Sequence, residues 1–233
     1  IGAFGGVRAG DVLFDYDVVV TNGLDQGFSS TPGGGLRDAR SSFRVDNNDQ
    51  KQICGRIGVT PDVEFLDALS FGASGLWGTY DDAGTQDVSM FGFDLFVKKG
   101  PFEILGEAVW ANLDRTPALV TAGAPGGLDG WYVEGRFHFF PDSWRGAAPF
   151  FGDESTFALV FRAEAVDTDD SATAIDFGAR GDAFRDDARR YTVGLNFRPS
   201  ERTVIKFEYQ FIVEPGPLDA GNDRIVMSIA TSF

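Results

Sequence analysis

The sequence predicts an all-β chain, a transmembrane antiparallel β-barrel, and three observations point to it. Apolar and polar residues alternate with a period of two along most of the chain, short and long connections follow one another, and no segment carries a convincing helical period. The composition agrees: 23 Phe and 30 Gly among 233 residues suit many short strands joined by tight turns. No apolar run approaches the ~18 residues of a membrane-crossing helix. In a barrel only every second residue meets lipid, so its average hydropathy stays near that of a soluble chain.

The elements follow in order. After a glycine-rich opening segment, Val12, Phe14, Tyr16, Val18 and Val20 alternate with Asp15 and Asp17, and Ile53, Ile57 and Val59 alternate with Gln52, Arg56 and Thr60. Leu69, Phe71 and Trp77 oppose Ser70 and Ser74; Phe91, Phe93, Leu95 and Val97 oppose Asp94; Phe102, Ile104, Ala108 and Trp110 oppose Glu103 and Glu107. Trp131, Val133, Phe137 and Phe139 oppose Glu134, Arg136 and His138, and Phe157, Leu159 and Phe161 oppose Arg162 and Glu164. Tyr191, Val193, Leu195 and Phe197 oppose Arg190, Thr192, Gly194, Asn196 and Arg198, and the segment from Ile205 to Val213 sets its aromatics against Lys206, Glu208 and Gln210. Ile225, Met227, Ile229, Thr231 and Phe233 close the series against Arg224, Val226, Ser228 and Ala230. The count is about eleven strands of roughly ten residues, the length a tilted strand needs to cross hydrocarbon. They read as one domain over residues 1–233.

The connections sort by parity. Ala9-Gly10-Asp11, Lys98-Lys99-Gly100-Pro101 and Arg198-Pro199-Ser200-Glu201 are short, with somewhat longer ones at Thr60-Pro61-Asp62 and Pro141-Asp142-Ser143-Trp144. Long polar loops over residues 22–50, 114–129 and 167–188 fall between them. Short periplasmic turns and long outer loops are the pattern of an outer-membrane barrel. Single-chain bacterial barrels hold an even number of strands, so a count near eleven leads to the expectation that the chain is the C-terminal part of a longer barrel.

Charge and rare residues exclude other classes. Asp+Glu 35 against Lys+Arg 20 gives a net charge of -15, which argues against a nucleic-acid surface. One His and one Cys cannot make a His/Cys zinc site or a disulfide framework. Cys54 reads as an inert small side chain and His138 as a satisfied histidine on a polar face. No serine stands in a nucleophile context, and the glycine clusters form no phosphate-cradling motif. Asp46-Asn47-Asn48-Asp49 lacks the remaining pattern of a calcium loop. Neither catalysis, cofactor nor metal is expected. Trp77, Trp110, Trp131, Tyr80 and Tyr191 lie near strand ends and suit interfacial girdles.

Parity also names the inward side chains. Asp15, Asp17, Asp94, Glu103, Glu107, Glu134, Glu164 and Glu208 are the acids; Arg56, Arg136, Arg162, Arg190, Arg198, Lys206 and Arg224 are the bases. Acids dominate the first half and bases the last strands, which would set an acidic wall opposite a basic one and bias passing ions. Pairing of these charges across strands is the alternative. The loop arginines Arg180, Arg185, Arg189 and Arg190 are candidates for attracting anions if their loop folds inward, or for meeting lipopolysaccharide phosphates.

The last strand, ending at Phe233, resembles the C-terminal assembly signal of outer-membrane barrels. Tyr16 with Thr21-Asn22-Gly23, Asp46-Asn47-Asn48 with Lys51 and Gly55-Arg56, Gly92-Phe93-Asp94-Leu95, Phe102-Glu103-Ile104-Leu105-Gly106-Glu107 and Tyr191-Thr192-Val193-Gly194-Leu195-Asn196-Phe197-Arg198-Pro199 together resemble the phosphate-selective porin family. That resemblance implies a sixteen-stranded homotrimeric porin in the outer membrane of a Gram-negative bacterium, in contact with lipid and lipopolysaccharide and selective through cationic side chains. The functional expectation is a passive channel for small ions or polar solutes, phosphate among them. The competing expectation is a structural or interaction barrel that is plugged or sheathes a partner protein. A soluble binding barrel or enzyme is disfavoured, because its apolar faces should point inward.

Overall fold

The computed structural model describes residues 1–25, 39–40, 48–121, 126–167, 188–213 and 221–232. Eleven strands run β1 (Gly2–Ala9), β2 (Val12–Thr21), β3 (Gln52–Pro61), β4 (Ala68–Thr79), β5 (Asp87–Lys99), β6 (Phe102–Leu113), β7 (Gly127–Phe139), β8 (Thr156–Asp167), β9 (Ala188–Ser200), β10 (Thr203–Val213) and β11 (Arg224–Thr231). Each pairs antiparallel with its neighbours in sequence, giving one sheet in the order β1 to β11. The alternating segments and their number are therefore those the sequence predicts. The sheet is open: β1 and β11 form its two edges and do not pair with each other. Closure into a barrel is not made by these eleven strands.

Two short helical pieces were not foreseen, α1 (Pro117–Thr121) and a single 3₁₀ turn (Asp142–Trp144). The first lies in a long loop and the second in the connection of residues 140–155, which is far longer than the somewhat extended turn over Pro141-Asp142-Ser143-Trp144 expected there. At two of the three two-residue turns, β1–β2 and β5–β6, Gly10 and Gly100 take φ of 59° and 54°, where a side chain would be strained.

Alternation gives the sheet two unlike faces. On the apolar face Phe71, Trp77, Phe91, Phe93, Phe102, Trp110, Phe161, Tyr191, Phe207, Phe211 and Met227 are exposed, and among the described residues only the connection of residues 140–155 packs on this side, at Phe157 and Phe197. Ring pairs such as Phe91 with Phe93 and Tyr209 with Phe211 line it. The charged residues share the opposite face. β1 departs from the pattern, since Phe4 lies opposite Asp17 and so falls on the polar side, exposed.

Among the described residues the buried cluster is small and, with Ala158, Val160 and Ala165 of β8 buried apart from it, sits on the polar face near the long-loop ends of β4–β7. Tyr80, Val88, Ala111 and Leu113 are buried there with Ala39, and Leu24, Leu76, Met90, Leu119 and Leu128 pack against them. Leu76 pairs with Met90, Met90 with Ala111 and Ala111 with Leu128, so polar-face positions become apolar across four strands. Leu24 and Ala39 of the β2–β3 connection and Leu119 of α1 cover them. Tyr80 is thus buried against loop residues and does not belong to an exposed girdle, whereas Trp77, Trp110 and Tyr191 are exposed on the apolar face.

Candidate functional site

The candidate site is a ladder of charged side chains crossing the strands on the polar face. Its first section centres on Arg56 of β3. The guanidinium reaches Asp94 of β5 through Nη2–Oδ1 at 2.7 Å and Nε–Oδ2 at 3.0 Å, and Asp15 of β2 through Nη1–Oδ1 at 3.3 Å. Asp17 lies directly opposite Arg56 in the β2–β3 register. The Arg56–Asp94 bridge passes over β4, and Gly72 of β4, paired with both Gly58 and Asp94, leaves room for it. A Cβ on Gly72 would stand 2.0 Å from Asp94 Oδ2 and 2.2 Å from Arg56 Nη2, and one on Gly58 would stand 2.3 Å from Asp15 Oδ2. The glycines make the lateral reach of this ion pair sterically feasible.

The second section runs from β5 to β9. Lys98 Nζ lies 3.4 Å from Glu103 Oε1, and His138 Nε2 and Arg136 Nη1 lie 3.1 and 3.6 Å from Glu103 Oε2. Arg136 also bonds Glu134 at 2.6 Å, Arg162 Nη1 approaches Glu134 at 3.6 Å, and Glu164 bonds both Arg162 and Arg190. The register places these partners opposite one another: Glu103 with Arg136, Glu134 with Arg162, Glu164 with Arg190. The Arg162 guanidinium lies 4.0 Å from the Tyr132 ring centroid, a cation–π contact that fixes its plane, and Glu107 bonds the Tyr132 hydroxyl. A cavity of about 540 Å³ opens beside Glu107, Tyr132, Arg162, Glu164 and Arg190.

Acid and base alternate along this ladder instead of gathering on opposite walls, so the cross-strand pairing alternative describes the geometry. The two signs nonetheless differ in depth. The side chains of Glu103 and Glu134 are 12% exposed and that of Glu164 14%, while those of Arg136, Arg162 and Arg190 are 29–33% exposed. Carboxylates form the floor and guanidinium groups stand above them toward solvent.

The remaining charges are more scattered. Arg224 Nε donates to Gln210 Oε1 at 2.8 Å, and Gln210 Nε2 lies 3.4 Å from Glu208. Arg198 lies opposite Thr156 and Lys206 opposite Asn196, and among the described residues neither makes an ion pair. Arg189 falls on the apolar parity at the start of β9, while Arg180, Arg185, Asp46, Asn47 and Phe233 lie outside the described residues. Asn48 is a loop fastener: its Oδ1 accepts from Gln50 N and its Nδ2 donates to the Asp81 carbonyl.

The turn after β4 is held by two residues the sequence did not single out for this work. Asp81 Oδ1 accepts from Thr85 N and Gln86 N, and Oδ2 accepts from the Thr85 hydroxyl. Burial alone would raise this carboxyl, but those hydrogen bonds outweigh it and hold the group below its ordinary value. The Tyr80 hydroxyl donates to the Asp114 carbonyl, and burial, followed by the nearby Asp81 charge, pushes the phenol up. The apolar run on polar parity, Leu76, Val88, Met90, Ala111 and Leu113, was the available sequence signal for this loop-covered patch.

Fold and site together define an all-β protein with one continuous apolar face and one ion-paired face. No family model matches the chain, and no curated protein and no solved structure is detectably similar to it.

Proposed function

We propose that the chain forms the wall of an outer-membrane porin, a transmembrane β-barrel whose apolar face meets lipid and whose charged face borders a water-filled passage for small ions or polar solutes. The observation that carries this reading is the sorting of side chains between the two faces. In water, contiguous apolar surface beyond a few hundred Å² marks an interaction site. Here exposed apolar side chains extend from β2 to β11, a breadth that suits lipid as the solvent. At ~3.4 Å per residue and ~45° tilt, about ten residues traverse ~25 Å of apolar band. Strands β2 to β10 hold 10 to 13 residues.

The reading requires strand partners for the free edges of β1 and β11, because an unpaired backbone group in hydrocarbon costs several kcal/mol. On β7–β9 the groups nearest solvent are guanidiniums, which favours anions, phosphate among them. No catalytic step is assigned.

Purified protein in planar bilayers tests the proposal. Stepwise conductance is expected, with a reversal potential in a salt gradient on the anion-selective side; a tight membrane containing inserted protein would overturn the open-channel reading. One observation favours a second reading: Leu24, Ala39 and Leu119 cover the polar face of β4–β7. A barrel plugged there would insert without conducting.

A further inference from the structure

We infer that the connection of residues 140–155 is a membrane foot, folded back onto the apolar face so that Trp144 and Phe150 sit in the boundary layer between lipid headgroups and acyl chains. The inference rests on the transmembrane reading and adds to it which segment sets the depth of the sheet in one leaflet.

The length of the segment is the first clue. At the same end of the sheet, β1–β2, β5–β6 and β9–β10 are joined by two residues each and β3–β4 by six, against sixteen here. A hairpin needs only about two to five. The additional chain is ordered by specific contacts. Ser155 Oγ lies 3.1 Å from both the Phe150 and Pro199 carbonyls and accepts from Gly152 N at 2.9 Å. Arg145 Nη1 donates to the Asp153 carbonyl at 2.6 Å while its guanidinium lies 4.8 Å from the Phe140 ring centroid.

The direction of the rings is the second clue. Phe157 of β8 and Phe197 of β9 are register partners on the apolar face, with ring centroids 4.8 Å apart. Phe140 stacks on Phe157 at 5.5 Å, Phe151 meets Phe197 at 5.7 Å, and Trp144 stacks on Phe151 at 5.6 Å. The segment therefore extends the apolar face beyond the strands. Trp144 and Phe150 remain 46% and 55% exposed. Asp142, with its side chain 95% exposed, adjoins them, so rings and charge meet as they do at a headgroup boundary.

Lipid is the occupant that also accounts for the neighbouring strands. At the same end Phe65 is 68% exposed with the Lys99 ammonium 5.3 Å from its ring centroid, and Phe102 is 57% exposed. Contact between a ring and a cation thus occurs both in the foot, at half-buried Phe140, and away from it, at exposed Phe65, as a layer running along the rim demands, whereas a second copy would cover one patch.

Tryptophan quenching in phosphatidylcholine vesicles with bromine at shallow or deep acyl positions tests this. One variant keeps only Trp144 (W77F, W110F, W131F) and another keeps only Trp110 (W77F, W131F, W144F). Trp144 is expected to be quenched about twofold more by shallow than by deep bromine, as for a ring at headgroup level. Quenching of Trp110 with none of Trp144 overturns the foot while leaving the membrane reading intact, and means that water or a second copy covers it. Quenching of neither overturns the membrane reading and the foot with it. Should the triple variants not fold, W144F alone in the otherwise unaltered chain must remove part of the shallow quenching, and an unchanged signal overturns the inference.

Discussion

Replacing Gly72 by Ala tests whether a glycine in β4 exists to let an ion pair pass over it. The new methyl would stand 2.0 Å from Asp94 Oδ2 and 2.2 Å from Arg56 Nη2, far inside the roughly 3.5 Å at which nonbonded atoms rest. Both obstructing atoms are ends of flexible side chains, so the backbone need not move; the bridge at 2.7 and 3.0 Å must open instead. Each partner's side chain is 34% exposed, which limits the loss to about 1 kcal/mol. Alanine in a strand returns roughly 0.5–1 kcal/mol relative to glycine. The single change should therefore lie within ~1 kcal/mol of neutral, and only a double-mutant cycle isolates the effect. With Arg56→Gln already present, Gly72→Ala should become more favourable by about 1 kcal/mol, read from denaturation in detergent micelles. Gly75→Ala is the control, because its Cβ would find only the Met90 carbonyl, at 3.8 Å. Additivity of G72A and R56Q within ~0.5 kcal/mol would refute the steric argument.

Three further outcomes are expected. The Asp81 carboxyl is held below its ordinary value of 3.8, so it contributes stability above that pH and loses it as pH falls through the lower folded value; Thr85 and Gln86 amides should exchange faster with hydrogen there, and Asp81→Asn should abolish that acid response. Arg162→Lys keeps the charge but loses the flat contact with Tyr132, costing about 0.5–1 kcal/mol in the same denaturation assay, while under the proposed channel function Arg162→Gln should also shift the reversal potential toward cations. Val88 is fully buried, so Val88→Ala should cost about 2 kcal/mol from lost methyl burial plus the residual void, read in the same denaturation assay.

The strands were legible because alternation is a local property: Phe91, Phe93 and Asp94 declare their faces without reference to any other strand. The ladder was legible only as a set of residues. That Arg56 answers Asp94 two strands away, and that Gly72 makes way for them, depends on register, which no single segment encodes. Charge counted along the chain accordingly suggested separated walls, while the sheet sets Glu103 against Arg136 and Glu164 against Arg190. The loop-covered patch is readable in principle, since Leu76, Val88 and Leu113 break the polar parity; Tyr80 reads from sequence as a girdle residue because its burial depends on Leu24, Ala39 and Leu119 arriving from distant loops. Alternation is the same in a closed and an open sheet, so the odd strand count is the one sequence feature that points to an unclosed sheet.

The strict β1-to-β11 order has a kinetic corollary. Every ladder joins consecutive segments, so each hairpin can form before the next and then serve as its template, and no pairing awaits a remote partner. The slowest closures should be those across the longest intervening stretches, β2 to β3 and β8 to β9, although chain entropy rises only logarithmically with their length. Zippering from the β3–β8 hairpins outward would leave both margins of the sheet to the end, as growing fronts on which a further segment can add.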